Sequence, residues 1–284
     1  MNLLREQYFP LTGKFHHRVR RWQRIPFTAA PECRIQTASP VSVVEYHLAL
    51  PQKYTLAFVT DLHFHESTKC RKILRHLEEH LENCSPDYLL FGGDMCGDAA
   101  DMAQLPEVLT SLSRRARKKC FAVGGNWEYG KDWLPEGFWQ EFYARCNIEY
   151  LENRCVCDEI FAFMGSADVS SGKPFLPRTE PEHFNILLAH SPDTVIALNR
   201  GSAENFPRLI LCGHTHGGQV NIPLLNRPLH LHSHYGTTLA HGVYRHRKRD
   251  AVMLVSAGLG ELSFPLRFNC RRELLIIRTG ETQP

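Results

Sequence analysis

The chain has 284 residues, 43% of them hydrophobic and 22% charged, the balance of an ordinary globular protein with enough length for one large domain or two small ones. A formal net charge of +3 is too small to argue for nucleic acid on its own, and no nucleic-acid partner is expected. No stretch approaches the roughly 20 apolar residues of a membrane helix, and the N-terminus lacks the apolar region of a signal peptide. The expected place is the cytoplasm, with peripheral contact at the inner face of the membrane left open. The ten cysteines are scattered singly apart from Cys155 and Cys157, which suits reduced thiols better than a disulfide framework or a zinc finger.

Residues 1–50 read as a basic N-terminal extension, and 51–284 as the domain proper. Before residue 30 the extension sets Arg5, Lys14, Arg18, Arg20, Arg21 and Arg24 against one acid, Glu6. Leu3, Leu4, Tyr8, Phe9, Leu11, Phe15, Trp22 and Phe27 are interleaved with them. Two readings stand side by side: contact with an anionic membrane surface, or an arm packed over the domain.

From residue 54 strands and helices alternate. Residues 54–60 form a strand, and 69–83 a helix with Ile73, Leu74, Leu77 and Leu81 on one face. Residues 87–91 form a strand closed by Gly92-Gly93-Asp94. Residues 101–117 read as a helix, and 119–123 as a strand closed by Gly124-Gly125-Asn126. Further strands follow at 160–164, 184–189 before His190, 208–211 before Cys212-Gly213-His214, 251–256 and 273–277. Short strands separated by helices imply a layered α/β architecture.

Asp61, Asp94, Asn126, His190 and His214 each fall just past the C-terminal end of a strand, the edge where open α/β sheets bind ligands. Any one of them is explained by a turn; five together point to a site at one sheet edge. Carboxylates mixed with imidazoles suit Zn, Mn or Fe better than Ca. Asp94, between the others in sequence, is placed to bridge two divalent ions, which about 3.5–4 Å apart clamp an in-line displacement at phosphorus. Glycines beside the ligands, among them Gly93, Gly125 and Gly213, let the backbone come close to metal and phosphate.

Asp61-Leu62-His63, Gly93-Asp94, Gly125-Asn126, His190 and Gly213-His214-Thr215-His216 resemble, in order, the signature of the calcineurin-like metallophosphoesterases. His190-Ser191-Pro192-Asp193, Gly217-Gly218-Gln219-Val220, Ser256-Ala257-Gly258-Leu259-Gly260 and Pro265-Leu266-Arg267-Phe268-Asn269 look like its YaeI/YkuE branch. The resemblance implies a four-layer α/β/β/α sandwich. It also implies one metal held by Asp61, His63, Asp94 and His216, and a second held by Asp94, Asn126, His190 and His214. The attacking group would be a metal-bound hydroxide, and Asp94, Asn126 and His214 carry the catalytic assignment.

One position departs from the pattern. The family usually continues Gly-Asn-His-Asp/Glu, where the chain has Gly125-Asn126-Trp127-Glu128. The missing His is the one the family uses to steady phosphoryl charge and protonate the leaving group, and an indole N–H is a donor with no useful pKa. A phosphoanhydride tolerates that loss better than an alkyl ester, so a pyrophosphate bond is the expected target. Trp127, His65, Glu128 and Arg267 are the candidate substrate contacts, with His65 or Glu128 as replacement acid. The branch resembled includes chlamydial-type hydrolases of UDP-2,3-diacylglucosamine, which release lipid X and UMP in lipid A synthesis, and that lipid-linked nucleotide is the substrate the resemblance implies. A broad phosphodiesterase or phosphatase is the alternative, and a non-catalytic metal-stabilised scaffold the alternative of another class. The basic run Arg245-His246-Arg247-Lys248-Arg249 reads either as an anion-attracting patch or as a solvated hairpin tip. His230, His232 and His234 read as surface residues rather than a third metal site, and Ser166 and Asp168 as minor candidates for the cleft.

Overall fold

A computed structural model describes residues 16–97, 99–130, 134–171, 173–198, 206–222, 238–262 and 265–281. Residues 1–15 of the extension and His230, His232 and His234 lie outside the described residues. Among the described residues no helix is long and apolar enough to cross a membrane.

The strands are β1 (Trp22–Ile25), β2 (Cys33–Gln36), β3 (Val41–Ala49), β4 (Thr55–Val59), β5 (Tyr88–Phe91), β6 (Lys119–Ala122), β7 (Glu149–Tyr150), β8 (Cys155–Asp158), β9 (Phe161–Gly165), β10 (Phe184–Leu188), β11 (Leu209–Cys212), β12 (Gly242–His246), β13 (Val252–Val255) and β14 (Arg272–Gly280). The helices are α1 (His16–Val19), α2 (Thr68–Cys84), α3 (Leu105–Ser113), α4 (Asn126–Tyr129), α5 (Phe138–Arg145) and α6 (Pro192–Leu198). They build two seven-stranded sheets, ordered β2-β3-β14-β4-β5-β6-β7 and β1-β12-β13-β11-β10-β9-β8.

The layers follow from which way alternate side chains point, because neighbours along a strand face opposite sides of its sheet. In β4, Leu56 and Phe58 enter the core between the sheets, while Ala57 and Val59 meet the helices outside. Strand β10 repeats this on the other sheet: Phe184, Ile186 and Leu188 face inward and Leu187 outward. Strands buried on both faces need the near-continuous apolar runs seen here. Tyr88, Phe121, Phe161 and Phe163 cluster at the centre, Phe121 and Phe163 stacking at 4.6 Å. Helices α2, α3 and α5 cover the first sheet, and α6 covers the second. The result is the expected four-layer α/β/β/α sandwich.

Helix α2 shows how the chain encodes one of those covers. Ser67 caps its first turn, accepting a hydrogen bond from the Cys70 N–H at 3.1 Å. Ile73, Leu74, Leu77 and Leu81 then form the buried stripe.

Two sequence expectations are corrected. Residues 16–49 are not an extension: β1 pairs with β12, and β3 with β14 and β2, so the boundary at 50 falls inside the sandwich. Trp22 and Phe27 are buried, which gives these two to the packed-arm reading. The helix expected over 101–117 is shorter: a 3-10 turn at Ala99–Ala103 precedes α3, which Pro106 opens in its first turn and which ends at Ser113.

Candidate metal centre

The ligand-bearing loops leave β4, β5 and β6 of one sheet and β10 and β11 of the other. The site is therefore built where the same edge of two sheets meets, not at the edge of one sheet. Contacts across the layers fix this meeting. His190 Nδ1 lies 2.8 Å from the Gly92 carbonyl, and the His214 N–H donates to the Asp61 carboxylate at 2.9 and 3.0 Å. Thr60 Oγ1, absent from the sequence-based set, donates to Asp61 Oδ2 at 2.7 Å.

All seven expected ligands come together. Asp61, His63 and His216 form one cluster and Asp94, His190 and His214 another, with the donor atoms of each within 4.8 Å of one another. Asn126 Oδ1 joins the second, 3.1 Å from His190 Nε2 and 2.9 Å from His214 Nδ1. Asp94 Oδ2 stands between the two, 3.6 Å from His63 Nε2 and 3.3 Å from His190 Nε2, the position a bridging carboxylate needs. Asp61, His63, Asp94, His214 and His216 all have positive φ. Such conformations cost of order 1–3 kcal/mol each for a non-glycine residue, and they gather where function over-determines the backbone.

The donor set fits divalent cations. His63 Nε2 and His216 Nε2 face each other at 3.1 Å, so at most one can hold a proton between them. Burial lowers the pKa of His63 despite Asp94 and Asp61, and lowers that of His216 strongly, with His63 adding to the effect. Both rings are thus held neutral, the form in which imidazole ligates. Burial opposes charge on His190, but the Asp94 carboxylate outweighs it and holds the pKa well above the usual value. Reciprocally, burial works against Asp94 ionisation and His190 overcomes it. The Gly92 carbonyl takes the Nδ1 proton of His190, so the second proton, on Nε2 against Asp94, is the one a cation would displace to use Nε2 as its ligand.

The candidate substrate contacts divide. Trp127 is 37% exposed, with its ring edge-on to His63 at 5.2 Å and its backbone N–H donating to Asp94 Oδ1 at 2.9 Å. Arg267 lies behind the first cluster, Nη2 3.3 Å from His216 Nδ1. His65 is exposed, its Nδ1 3.1 Å from the His63 carbonyl. Glu128 is not a cleft residue. It is buried and accepts from the N–H groups of Asp94, Met95 and Gly125 at 2.8, 2.9 and 2.8 Å. Burial, with Asp94 beside it, pushes its pKa up to about 6 against the pull of those amides. Glu128 therefore clamps the Asp94 loop to the Asn126 loop, and an acid role for it is withdrawn. Asp168 likewise holds structure: it accepts from Ser191 Oγ and Thr194 Oγ1 at 2.7 and 2.8 Å, fixing the turn that carries His190. Ser166 is fully buried, its hydroxyl donating to the Ala167 carbonyl.

A profile of calcineurin-like phosphoesterases matches residues 54–218, more than half of the chain. The chain belongs to the calcineurin-like phosphoesterase family. Within this family the chain is 26% identical to the phosphodiesterase YaeI of Escherichia coli, across 79% of the chain and 81% of that protein. It is 24% identical to the UDP-2,3-diacylglucosamine pyrophosphatase LpxG of Chlamydia muridarum, across 81% and 86%. It is 28% identical to F40B5.2 of Caenorhabditis elegans across 78% of the chain, but spans only 48% of that protein's length.

Proposed function

We propose that the chain is a two-metal phosphohydrolase that cleaves a pyrophosphate or activated diester bond, and that its substrate is a lipid-linked nucleotide of the UDP-2,3-diacylglucosamine type. Asp61, His63, Asp94 and His216 would hold one divalent cation, and Asp94, Asn126, His190 and His214 a second; such a pair would supply charge neutralisation and a nucleophile at neutral pH. The cation's identity is left among Mn, Zn and Fe, since these ligands accept all three.

Trp127 carries the substrate reading. It stands against His63 where the family usually has a proton donor, and Glu128 is committed to three amides. A site without a strong acid favours leaving groups that depart unprotonated. A phosphate, with a second pKa of about 6, is one; an alkoxide is not. Leu266 and Phe268, 53% and 48% exposed, flank the Arg267 that abuts His216. The partly exposed Trp127 ring, edge-on to His63, offers an apolar face beside the paired clusters, suited to an acyl chain or a base. The similarity to LpxG supports the same reading.

The test compares turnover of UDP-diacylglucosamine in micelles, a soluble pyrophosphodiester and an alkyl phosphate monoester, with Mn or Zn added. The pyrophosphate substrates should be cleaved faster than the monoester. Faster monoester cleavage defeats the proposal and leaves the broad phosphodiesterase reading, which similarity to YaeI favours. Failure to hydrolyse any aryl phosphate in the metal-loaded state would leave the scaffold.

A further inference from the structure

Two exposed apolar side chains, Leu266 and Phe268, stand in one short loop beside the metal edge. Arg267 between them turns inward, its Nε donating to the Gly260 carbonyl at 2.9 Å and its Nη2 lying 3.3 Å from His216 Nδ1. The backbone here is tied to the segment that follows His216. The Phe268 N–H donates to the Gln219 carbonyl at 3.0 Å, and the Asn221 N–H to the Phe268 carbonyl at 2.9 Å, around a parallel bridge between Val220 and Phe268. Neighbours along such a segment point to opposite sides. With Arg267 committed to a candidate ligand, Leu266 and Phe268 share the outer side.

Lys69 ties this loop to helix α2, its Nζ donating to the Pro265 carbonyl at 3.0 Å and to Glu261 at 2.5 Å. Helix α2 starts at the metal edge, because the chain enters it from the Asp61 and His63 loop at the end of β4. Its charges run against its own dipole. Lys69, Arg71, Lys72 and Arg75 are exposed in its first half, with no acid in the first turn, while Glu78, Glu79 and Glu82 lie in its second half. A helix favours acids at its N-terminus and bases at its C-terminus, so helix stability does not account for this order. What the order does provide is a basic end next to the exposed loop. Lys69 and Arg71 pair with Glu261 and Glu66, and Glu261 also takes Arg272. Lys72, Arg75 and Arg271 are exposed and make no ion pair among the described residues.

We propose that Leu266 and Phe268, with Lys72, Arg75 and Arg271, seat the metal edge on an anionic lipid bilayer. Exposed apolar side chains rimmed by unpaired cations match an interface of acyl chains below anionic headgroups. Two apolar side chains are too few for the roughly 1,000 Å² that a specific protein interface buries, whereas a bilayer needs only shallow insertion. The surface deepens the lipid-linked substrate reading, and only its purpose rests on that reading.

The experiment measures cosedimentation of the full chain with vesicles of phosphatidylglycerol and phosphatidylcholine in equal parts, and of phosphatidylcholine alone. Binding should favour the anionic vesicles and weaken as salt is added. Leu266→Ser combined with Phe268→Ser should weaken it at least about tenfold, the loss of two inserted side chains. Lys72→Gln combined with Arg271→Gln should weaken it roughly 10- to 30-fold, and serves if the serine pair misfolds. Hydrolysis of a soluble aryl phosphate should stay unchanged in both pairs. No binding to anionic vesicles, or binding that both pairs leave intact, would overturn the surface. So would retention on soluble polyglutamate that depends on these residues without vesicle binding, which would give the patch to an acidic protein. The vesicles hold no substrate, so a failure here leaves the pyrophosphate preference standing, and a failure of that preference leaves the vesicle result standing.

Discussion

Gly125→Ala isolates the contact on which the position of the Asp94 carboxylate depends. Gly125 has φ −101° and ψ −175°, an extended conformation open to alanine, so the change adds a methyl group without backbone strain. That Cβ would stand 2.2 Å from Asp94 Oδ1 and 2.7 Å from His190 Cε1. Ordinary contact needs the carboxylate to retreat by roughly 1 Å, breaking its hydrogen bond from the Trp127 N–H. A displacement of about 1 Å at a reacting centre costs on the order of 10²-fold in rate. Overpacking of a filled site costs about 2 kcal/mol, on the order of 5 °C in a chain of this size. The assay is kcat/KM on bis-p-nitrophenyl phosphate with metal content by elemental analysis, and a melting curve as control. A variant with full activity and full metal content would refute the claim that the Asn126 loop presses on Asp94.

Trp127→His restores the family's usual donor beside His63. Alkyl monoester turnover should rise about 10- to 100-fold while pyrophosphate cleavage changes little; a ratio that stays fixed counts against the leaving-group argument. A pH effect is expected from His246, whose pKa burial, with Arg249, Arg21 and Lys248 adding to it, pushes down to about 4. Because the folded pKa lies below the unfolded value of about 6.5, the neutral ring's contribution is present above pH 6.5 and lost as pH falls toward 4. The full shift corresponds to about 3 kcal/mol, which screening of the surrounding surface charges cuts to roughly 1–2 kcal/mol. Melting curves of His246→Gln should lack that part of the acid dependence; identical curves would remove His246 from the account.

The strands that carry the ligands were legible because they are buried on both faces. The run Tyr88-Leu89-Leu90-Phe91 is fully buried, and Gly92-Gly93 marks where that strand must stop. Strand β3 was hidden for the opposite reason. Its pattern of Val41 and Val43 toward the helices and Val44 and Tyr46 toward the other sheet follows a basic, aromatic stretch whose composition suits a surface arm. Sequence also marks strand ends without saying which sheet each belongs to, so convergence on one edge was read where two sheets meet. The role of Glu128 was beyond reach: a carboxylate next to a ligand looks the same in sequence whether it faces substrate or three amides. Family spacing picked out the seven residues that cluster in space but not Thr60 or the Gly92 carbonyl, which act through a hydroxyl and a backbone group that occur everywhere.

Metal stoichiometry tests the centre most directly. Elemental analysis of the purified chain loaded with Mn or Zn should give two ions per chain, one ion in His63→Ala, one in His190→Ala, and close to none in Asp94→Ala, whose Oδ2 lies within 3.6 Å of a histidine nitrogen in each cluster. A single ion in the unaltered chain, or two retained in Asp94→Ala, would contradict a paired centre bridged by that carboxylate.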